Sequence, residues 1–366
     1  MARKSHADIT DAIQEYLGNN STDFTDALLI NWITQGLTEF SYYCPNIVRE
    51  TFATNGVSSS ATKELDISEI SDLLWVDALE FKVGKTPRQW RNFKQHYSTQ
   101  LSMDIDFWPA DADSGIDTDE ALDSGEEAID VDADATTAIP VGTIIRIENE
   151  LYFVTATGTT LTVESAYGRT SNSAHATNKD IMIPQLAYLY CAKPHVIPAL
   201  TDLAGVVDLP ASGYAAGLRT IHIDTMGEAD TLEEDWTFTI TGDATTTHYR
   251  LTEPTILASN EGDITFEPGL AEAIVDGDVV TFDNSTLTSA QETLLIDLVA
   301  ARAALSTSAK FIQTIPKSGR NPFADYMTFW QAQLSITLQK LQNEAKKYQK
   351  PYTEFPNSYP PIFTSA

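Results

Sequence analysis

Helical periodicity is confined to the two ends of this chain, and the stretch between them is broken by Gly, Asp, Asn and Pro into short strand-like runs. The terminal helices carry apolar stripes that must be buried against each other, so the middle has to leave the helical part and return to it. The order of elements therefore reads as one domain interrupted by insertions. A length of 366 residues, above the usual ceiling for a single core, points the same way.

At the N-terminal end, Ser5 caps a short helix with Ile9, Ile13, Tyr16 and Leu17 on one side, and Gly18 stops it. From Thr22 to Tyr43, Phe24, Leu28, Leu29, Trp32, Ile33, Leu37 and Phe40 recur at three- and four-residue spacing until Pro45. At the other end, Thr288 and Gln291 form a capping-box signature ahead of Leu294, Leu295, Leu298, Val299 and Leu305. Asn321 and Pro322 then open the longest helix, with Phe323, Tyr326, Trp330, Leu334, Leu338, Leu341, Ala345 and Tyr348 in a stripe. At 1.5 Å per residue it is roughly 40 Å long.

Strand signals begin at Val48 to Thr54 and continue through Leu74 to Val83. The cleanest alternation runs from Tyr97 to Phe107, and its expected partner is Leu186 to Ala192, with Leu186, Tyr188 and Tyr190 on one face. Residues 108–183 then form the loop of an overgrown hairpin, too long to lack structure of its own. Within it, residues 143–169 read as three short strands with turns at Glu148-Asn149 and Gly158. A second β-rich block spans Leu218 to Phe282. The fold expected is α+β: a helical bundle with a β-hairpin, over 1–107, 184–205 and 286–349, interrupted by two small antiparallel β domains at 108–183 and 206–285. An extended tail, 350–366, follows.

Chemistry leaves few marks. Cys44 and Cys191 lack any CxxC or Cys/His spacing, and no phosphate loop, HExxH or GxSxG pattern occurs. The six histidines are isolated in sequence, so no catalytic set, cofactor or metal site is expected. No apolar leader or spanning-length apolar run occurs, which places the chain in a cytoplasm, or in something assembled there, and off membranes. With 52 acids against 23 bases, the net charge of −29 repels free nucleic acid and anionic membrane. It also opposes self-association in solution.

Two charge runs stand out. Asp104 to Asp134 holds many acids and no Lys or Arg. It invites a calcium reading, but Gly115 falls where the acid at the fifth position of an EF-hand loop belongs, and a solvated acidic loop is the plainer reading. Lys82, Lys85, Arg88, Arg91 and Lys94, interleaved with Trp90 and Phe93, form the one dense basic patch. The choice lies between a nucleic-acid site and a contact with an acidic neighbouring subunit, and in so acidic a chain the subunit contact is preferred. In the tail, Tyr352, Phe355, Pro356, Tyr359, Pro360, Ile362 and Phe363 are too apolar for a solvated terminus and too proline-broken for a helix. They suit binding as an extended strand against another chain.

The paired N-terminal helices, the strands around WVDALEFKV, the segment LYCAKPHVIP, the helix from Thr288 and the final helix ending in LQNEAKKY together resemble the tailed-phage head-to-tail adaptor, or connector, family. The resemblance covers about half the chain; two β modules depart from the minimal pattern and also suit a collar or a fibre holder. It implies a structural, non-enzymatic virion protein of the neck, assembled in the host cytoplasm. It also implies a homo-oligomeric ring, dodecameric by family, under the portal protein and joined to further neck or tail proteins. The C-terminal tail docks on the portal, and DNA passes through the channel without sequence-specific binding. The competing readings are another virion component, such as a head decoration, collar or tail protein, and a secreted carbohydrate-binding β protein.

Overall fold

A computed structural model describes residues 3–53, 64–68, 70–96, 99–103, 111–167, 170–198, 204–208, 213–227, 231–243, 247–311 and 322–347. The chain divides into two compact units, Met1–Ile47 with Ala192–Leu203 and Asp283–Ala366, and Val48–Cys191 with Ala204–Phe282.

Among the described residues the first unit holds four helices, α1 (His6–Tyr16), α2 (Asp26–Tyr43), α3 (Ser289–Phe311) and α4 (Pro322–Ala345). A capping box opens α1: the Asp8 amide donates to Ser5 Oγ at 3.1 Å, and the Ser5 amide donates to Asp8 Oδ2 at 3.0 Å. The same device opens α3, where the Thr288 amide donates to Gln291 Oε1 at 2.8 Å. Ile9, Ile13, Leu29, Ile33, Phe40, Leu295, Leu298, Val299 and Leu341 fill the shared core. At Gly36 of α2 an added Cβ would stand 2.5 Å from Val299 Cγ2, so the missing side chain lets α2 approach α3.

Between its two β passages the chain threads this unit once more, and His195 secures the passage. Its amide donates to Ser41 Oγ at 3.0 Å, its Nδ1 lies 2.9 Å from Thr286 Oγ1, and its ring meets Phe40 edge-on at 5.9 Å. Thr286 returns its amide to Val196 O at 3.1 Å.

Among the described residues the regular elements of the second unit are all strands. Its strands begin with β1 (Asn46–Ala53), β2 (Glu64–Asp66), β3 (Trp75–Glu80), β4 (Phe93–His96) and β5 (Gln100–Met103). Next come β6 (Ala112–Asp117), β7 (Ala128–Asp130), β8 (Ile144–Ile147), β9 (Glu150–Ala156), β10 (Thr160–Glu164), β11 (Asp180–Ile183) and β12 (Leu186–Lys193). The last group is β13 (Ala204–Val207), β14 (Thr220–Asp224), β15 (Thr231–Leu232), β16 (Thr237–Ile240), β17 (Tyr249–Leu251), β18 (Thr255–Ile256), β19 (Gly262–Glu267) and β20 (Val279–Phe282).

Three modules result. Two three-stranded sheets, ordered β1-β12-β3 and β2-β5-β4, share a core of Val48, Leu65, Val76, Leu79, Leu101, Leu189 and Cys191. A six-stranded sheet is ordered β6-β11-β8-β9-β10-β7, its edges joined by the Thr118–Val131 bridge. A closed barrel is ordered β13-β14-β19-β17-β16-β20. Phe238 fills it, with the rings of Tyr249, Phe266 and Phe282 at 5.2–5.5 Å from its own.

Arginines lock the modules together. Arg219 of the barrel pairs with Glu267 at 2.8 Å, hydrogen-bonds the Tyr167 hydroxyl, and stands 5.2 Å from the Phe153 ring of the six-stranded sheet. Beside it, backbones touch: a Cβ on Gly142 would stand 2.8 Å from Gly217 O, and both glycines have positive φ. Arg250 pairs with Asp235 at 2.7 Å and with Glu50 of β1 at 2.8 Å, and donates to Arg49 O at 3.2 Å. Burial opposes the Arg250 charge, yet Glu50, Asp235 and Glu267 raise its pKa overall.

Two expectations are corrected. The fold is not a helical bundle with small β inserts: only 25% of the described residues are helical, and the described residues of the second unit form β modules. The hairpin between Tyr97–Phe107 and Leu186–Ala192 does not form. Gln100–Met103 instead pairs with Glu64–Asp66 and Phe93–His96, while Leu186–Lys193 lies between Asn46–Ala53 and Trp75–Glu80. Alternation fixes which face of a strand is buried and is silent on which strand lies beside it. The Asn321 cap lies outside the described residues.

Two expected outcomes follow from these buried groups. Burial lowers the His195 pKa to about 4, so between there and its ordinary 6.5 the unfolded chain takes a proton that the folded one refuses. Stability is therefore full above pH 6.5 and falls by up to about 3 kcal/mol as pH drops through that window. Helical melts of His195→Gln followed by circular dichroism will show a shallower fall over the same window. Arg250→Met leaves Glu50 and Asp235 without their shared cation and will cost about 3–5 kcal/mol in urea unfolding of the β unit.

Candidate docking face

β12 alternates, burying Ala187, Leu189 and Cys191 in the core shared by the two three-stranded sheets. The opposite face carries Leu186, Tyr188 and Tyr190. Leu186 packs against Ile144, Leu151 and Phe153 of the six-stranded sheet, and the two tyrosines continue the same face beyond that cover. The Arg49 guanidinium lies 4.4 Å over the Tyr188 ring, and Trp90 packs on Tyr190 at 5.3 Å. Arg88 Nη1 donates to Tyr190 Oη at 3.1 Å, and that hydroxyl donates to Glu80 Oε2 at 3.0 Å. Burial first, and then Glu80, push the Tyr190 phenol up. Arg49 is held from behind, since Arg250 grips its carbonyl. The result is a row of aromatic rings flanked by guanidinium groups, the composition that dominates binding energy at protein interfaces.

Of the five basic residues singled out in the sequence, Arg88 belongs to this face, with 63% of its side chain exposed. Lys85 is exposed and Lys82 half-exposed in the connection after β3, and neither makes an ion pair among the described residues. Arg91 turns inward, its Nε donating to Phe81 O at 3.1 Å. Lys94 stands on β4, in the other three-stranded sheet. Arg49 and Glu80 were not picked out from sequence; the signal for Arg49 was its alternate place beside Val48 on β1. The seven tail residues from Tyr352 to Phe363 lie outside the described residues.

Residues 111–134 of the acidic stretch form the edge strands β6 and β7 and the turns around them. Asp119 N donates to Asp130 O at 2.9 Å and Asp132 N to Asp117 O at 3.0 Å, which gathers four aspartates at the closing bridge. Desolvation first, then Asp180, Asp132 and Asp113, raise the Asp117 carboxyl. Among the described residues no group of three or more His, Cys, Asp or Glu is arranged to hold a metal ion.

Ser173, His175 and Glu148 have spacings that resemble a hydrolytic triad, at 3.2 Å for Ser173 Oγ to His175 Nε2 and 2.9 Å for Nδ1 to Glu148 Oε2. The hydrogen bonding argues against it. Nε2 also faces Glu150 Oε2 at 3.1 Å, and Ser173 Oγ lies 3.1 Å from that same oxygen. Each ring nitrogen thus faces a carboxylate, and a proton on Nε2 pointing at Glu150 would leave that nitrogen no lone pair for a hydroxyl. Burial opposes the Glu150 charge, but the Ser173 amide, His175 and the Ala166 amide outweigh it and hold the carboxyl below its ordinary range. The cluster is a buried polar tie.

Comparison of the chain with protein-family models, with curated proteins and with solved structures finds no match.

Tyr190→Phe removes a donor from the buried Glu80 carboxylate and will lower stability by about 1–2 kcal/mol in chemical denaturation. Lys85→Ala, which removes no described contact, will stay within about 0.5 kcal/mol of the parent.

Proposed function

We propose that this chain is a non-catalytic structural protein of a virion, a head-to-tail adaptor that forms a ring under the portal and joins capsid to tail. The observation that carries the reading is the helical unit. The chain begins in it and returns to it twice, and its helices leave Tyr16, Ile30, Tyr42, Phe329 and Ile336 exposed at 45–62%. Apolar side chains so placed on a folded surface suit contacts with other copies or other proteins. The segments WVDALEFKV and LYCAKPHVIP, which resemble the adaptor family, contribute neighbouring strands, β3 and β12. Partners on this reading are the portal protein, further neck or tail proteins and sister copies of the ring, dodecameric by family resemblance. DNA passes through the channel unread, and the protein resides in the neck after assembly in the host cytoplasm.

The anchor on the portal is the tail, with Tyr352, Phe355, Pro356, Tyr359, Pro360, Ile362 and Phe363 as its contact residues. Seventeen extended residues reach at most about 55–60 Å, enough to leave the ring and run along a neighbour. Proline lowers the ordering cost because its φ is fixed before binding. A chain truncated after Gln349 will lose capture by purified portal rings while its melting temperature barely changes. Capture that survives truncation, or a large fall in melting temperature, overturns the anchor.

A further inference from the structure

We infer that the cationic aromatic face of Arg49, Tyr188, Tyr190, Trp90 and Arg88, with Lys82 and Lys85 beside it, receives the acidic edge of a second copy of this chain, the aspartates around the Thr118–Val131 bridge. The inference rests on reading this face as a contact surface, and it names what the face contacts.

Charge complementarity selects the occupant. The chain carries a net −29, and its acids are densest where no Lys or Arg intervenes, over 104–134. In the described part of that stretch, Asp113, Asp119, Asp130 and Asp132 are exposed. Burial first, and then repulsion from Asp180, Asp132 and Asp113, raise the Asp117 carboxyl, and no ion pair among the described residues reaches Asp113, Asp117, Asp119, Asp130 or Asp132. On the other side, Lys82 and Lys85 have no carboxylate partner among the described residues. Arg88 has only the 3.9 Å approach to Glu80, and Arg49 rests on a ring. No ion pair among the described residues joins the two surfaces. Each complement is therefore met between copies.

The aromatic rings give the contact more than charge. Tyr188, Tyr190 and Trp90 are half-buried and held in place by Arg49, Arg88 and Glu80, so they lose little freedom on binding. Such a contact joins two different surfaces, face on one copy to edge on the next, and a heterologous contact closes into a ring or runs on as a filament. Long-range repulsion between copies is screened beyond about 8 Å at physiological ionic strength, while pairs in contact keep their attraction. Two like-charged chains can then meet at one complementary spot.

The test uses the full chain alone, without portal, so it stands or falls apart from the virion reading. Sedimentation velocity at physiological ionic strength will show concentration-dependent association that weakens as salt is added. Lys82→Glu with Lys85→Glu and Arg88→Glu will weaken it by roughly tenfold or more, and so will Asp119→Lys with Asp132→Lys. Mixing the two variants restores it, because each surface again faces its opposite. Lys82→Glu with Lys85→Glu serves if the triple variant melts early. A parent that stays monomeric at every concentration overturns the inference. So does association that is indifferent to both reversals, a mixture of folded variants that fails to recover, or a face that retains a DNA oligonucleotide while copies stay apart.

Discussion

Within the helical unit one crossing segment is tied both to α2 and to the approach to α3. Between one β passage and the next, residues 192–203 belong to this unit, and in the described part, 192–198, His195 and Val196 carry the ties. His195 serves three neighbours at once, the Ser41 hydroxyl at the end of α2, the Thr286 hydroxyl ahead of α3, and the Phe40 ring. It manages this because burial keeps its ring neutral. A charged imidazole there would face desolvation with no carboxylate to answer it. The two capping boxes start α1 and α3 independently, and the tie joins the end of α2 to the approach to α3.

In the β unit the corresponding constraint is ionic. Arg219 and Arg250 each leave one module and satisfy carboxylates or rings in another, and both are largely buried. Such pairs add little to stability against an apolar alternative, but they are directional, and an arginine with two carboxylates and a carbonyl to satisfy admits few arrangements. Where Gly142 meets Gly217 the modules approach closely enough that no side chain fits between. The docking face inherits this rigidity. Arg49 is gripped through its carbonyl by Arg250 while its own guanidinium covers Tyr188.

The electrostatic character of the molecule is uneven in a way that the net charge conceals. A cationic row flanked by aromatic rings persists in a chain with more than twice as many acids as bases, and it is stabilised locally by Tyr190 and Glu80. The acidic edge, by contrast, is held together by backbone hydrogen bonds across the β6–β7 bridge despite the repulsion among its side chains.

Local chemistry made much of this legible. Ser5 with Asp8 and Thr288 with Gln291 announce helix starts, because a cap is satisfied within four residues and needs nothing distant. The alternation along Leu186 to Ala192 correctly separates Tyr188 and Tyr190 from Ala187 and Leu189, since a strand sends successive side chains to opposite faces. The cluster of bases at 82–94 is visible as composition, yet only the fold sends Arg91 inward and Lys94 to another sheet, and only the fold brings Arg49 to join Arg88. Strand β13, which closes the barrel, carries too short a signal to be read, and the hairpin assigned to Leu186 was the wrong pairing. Pairing, closure and the meeting of distant charges depend on contacts between residues from a few tens to more than a hundred positions apart. Local periodicity holds no record of those contacts, so tertiary structure alone decided them.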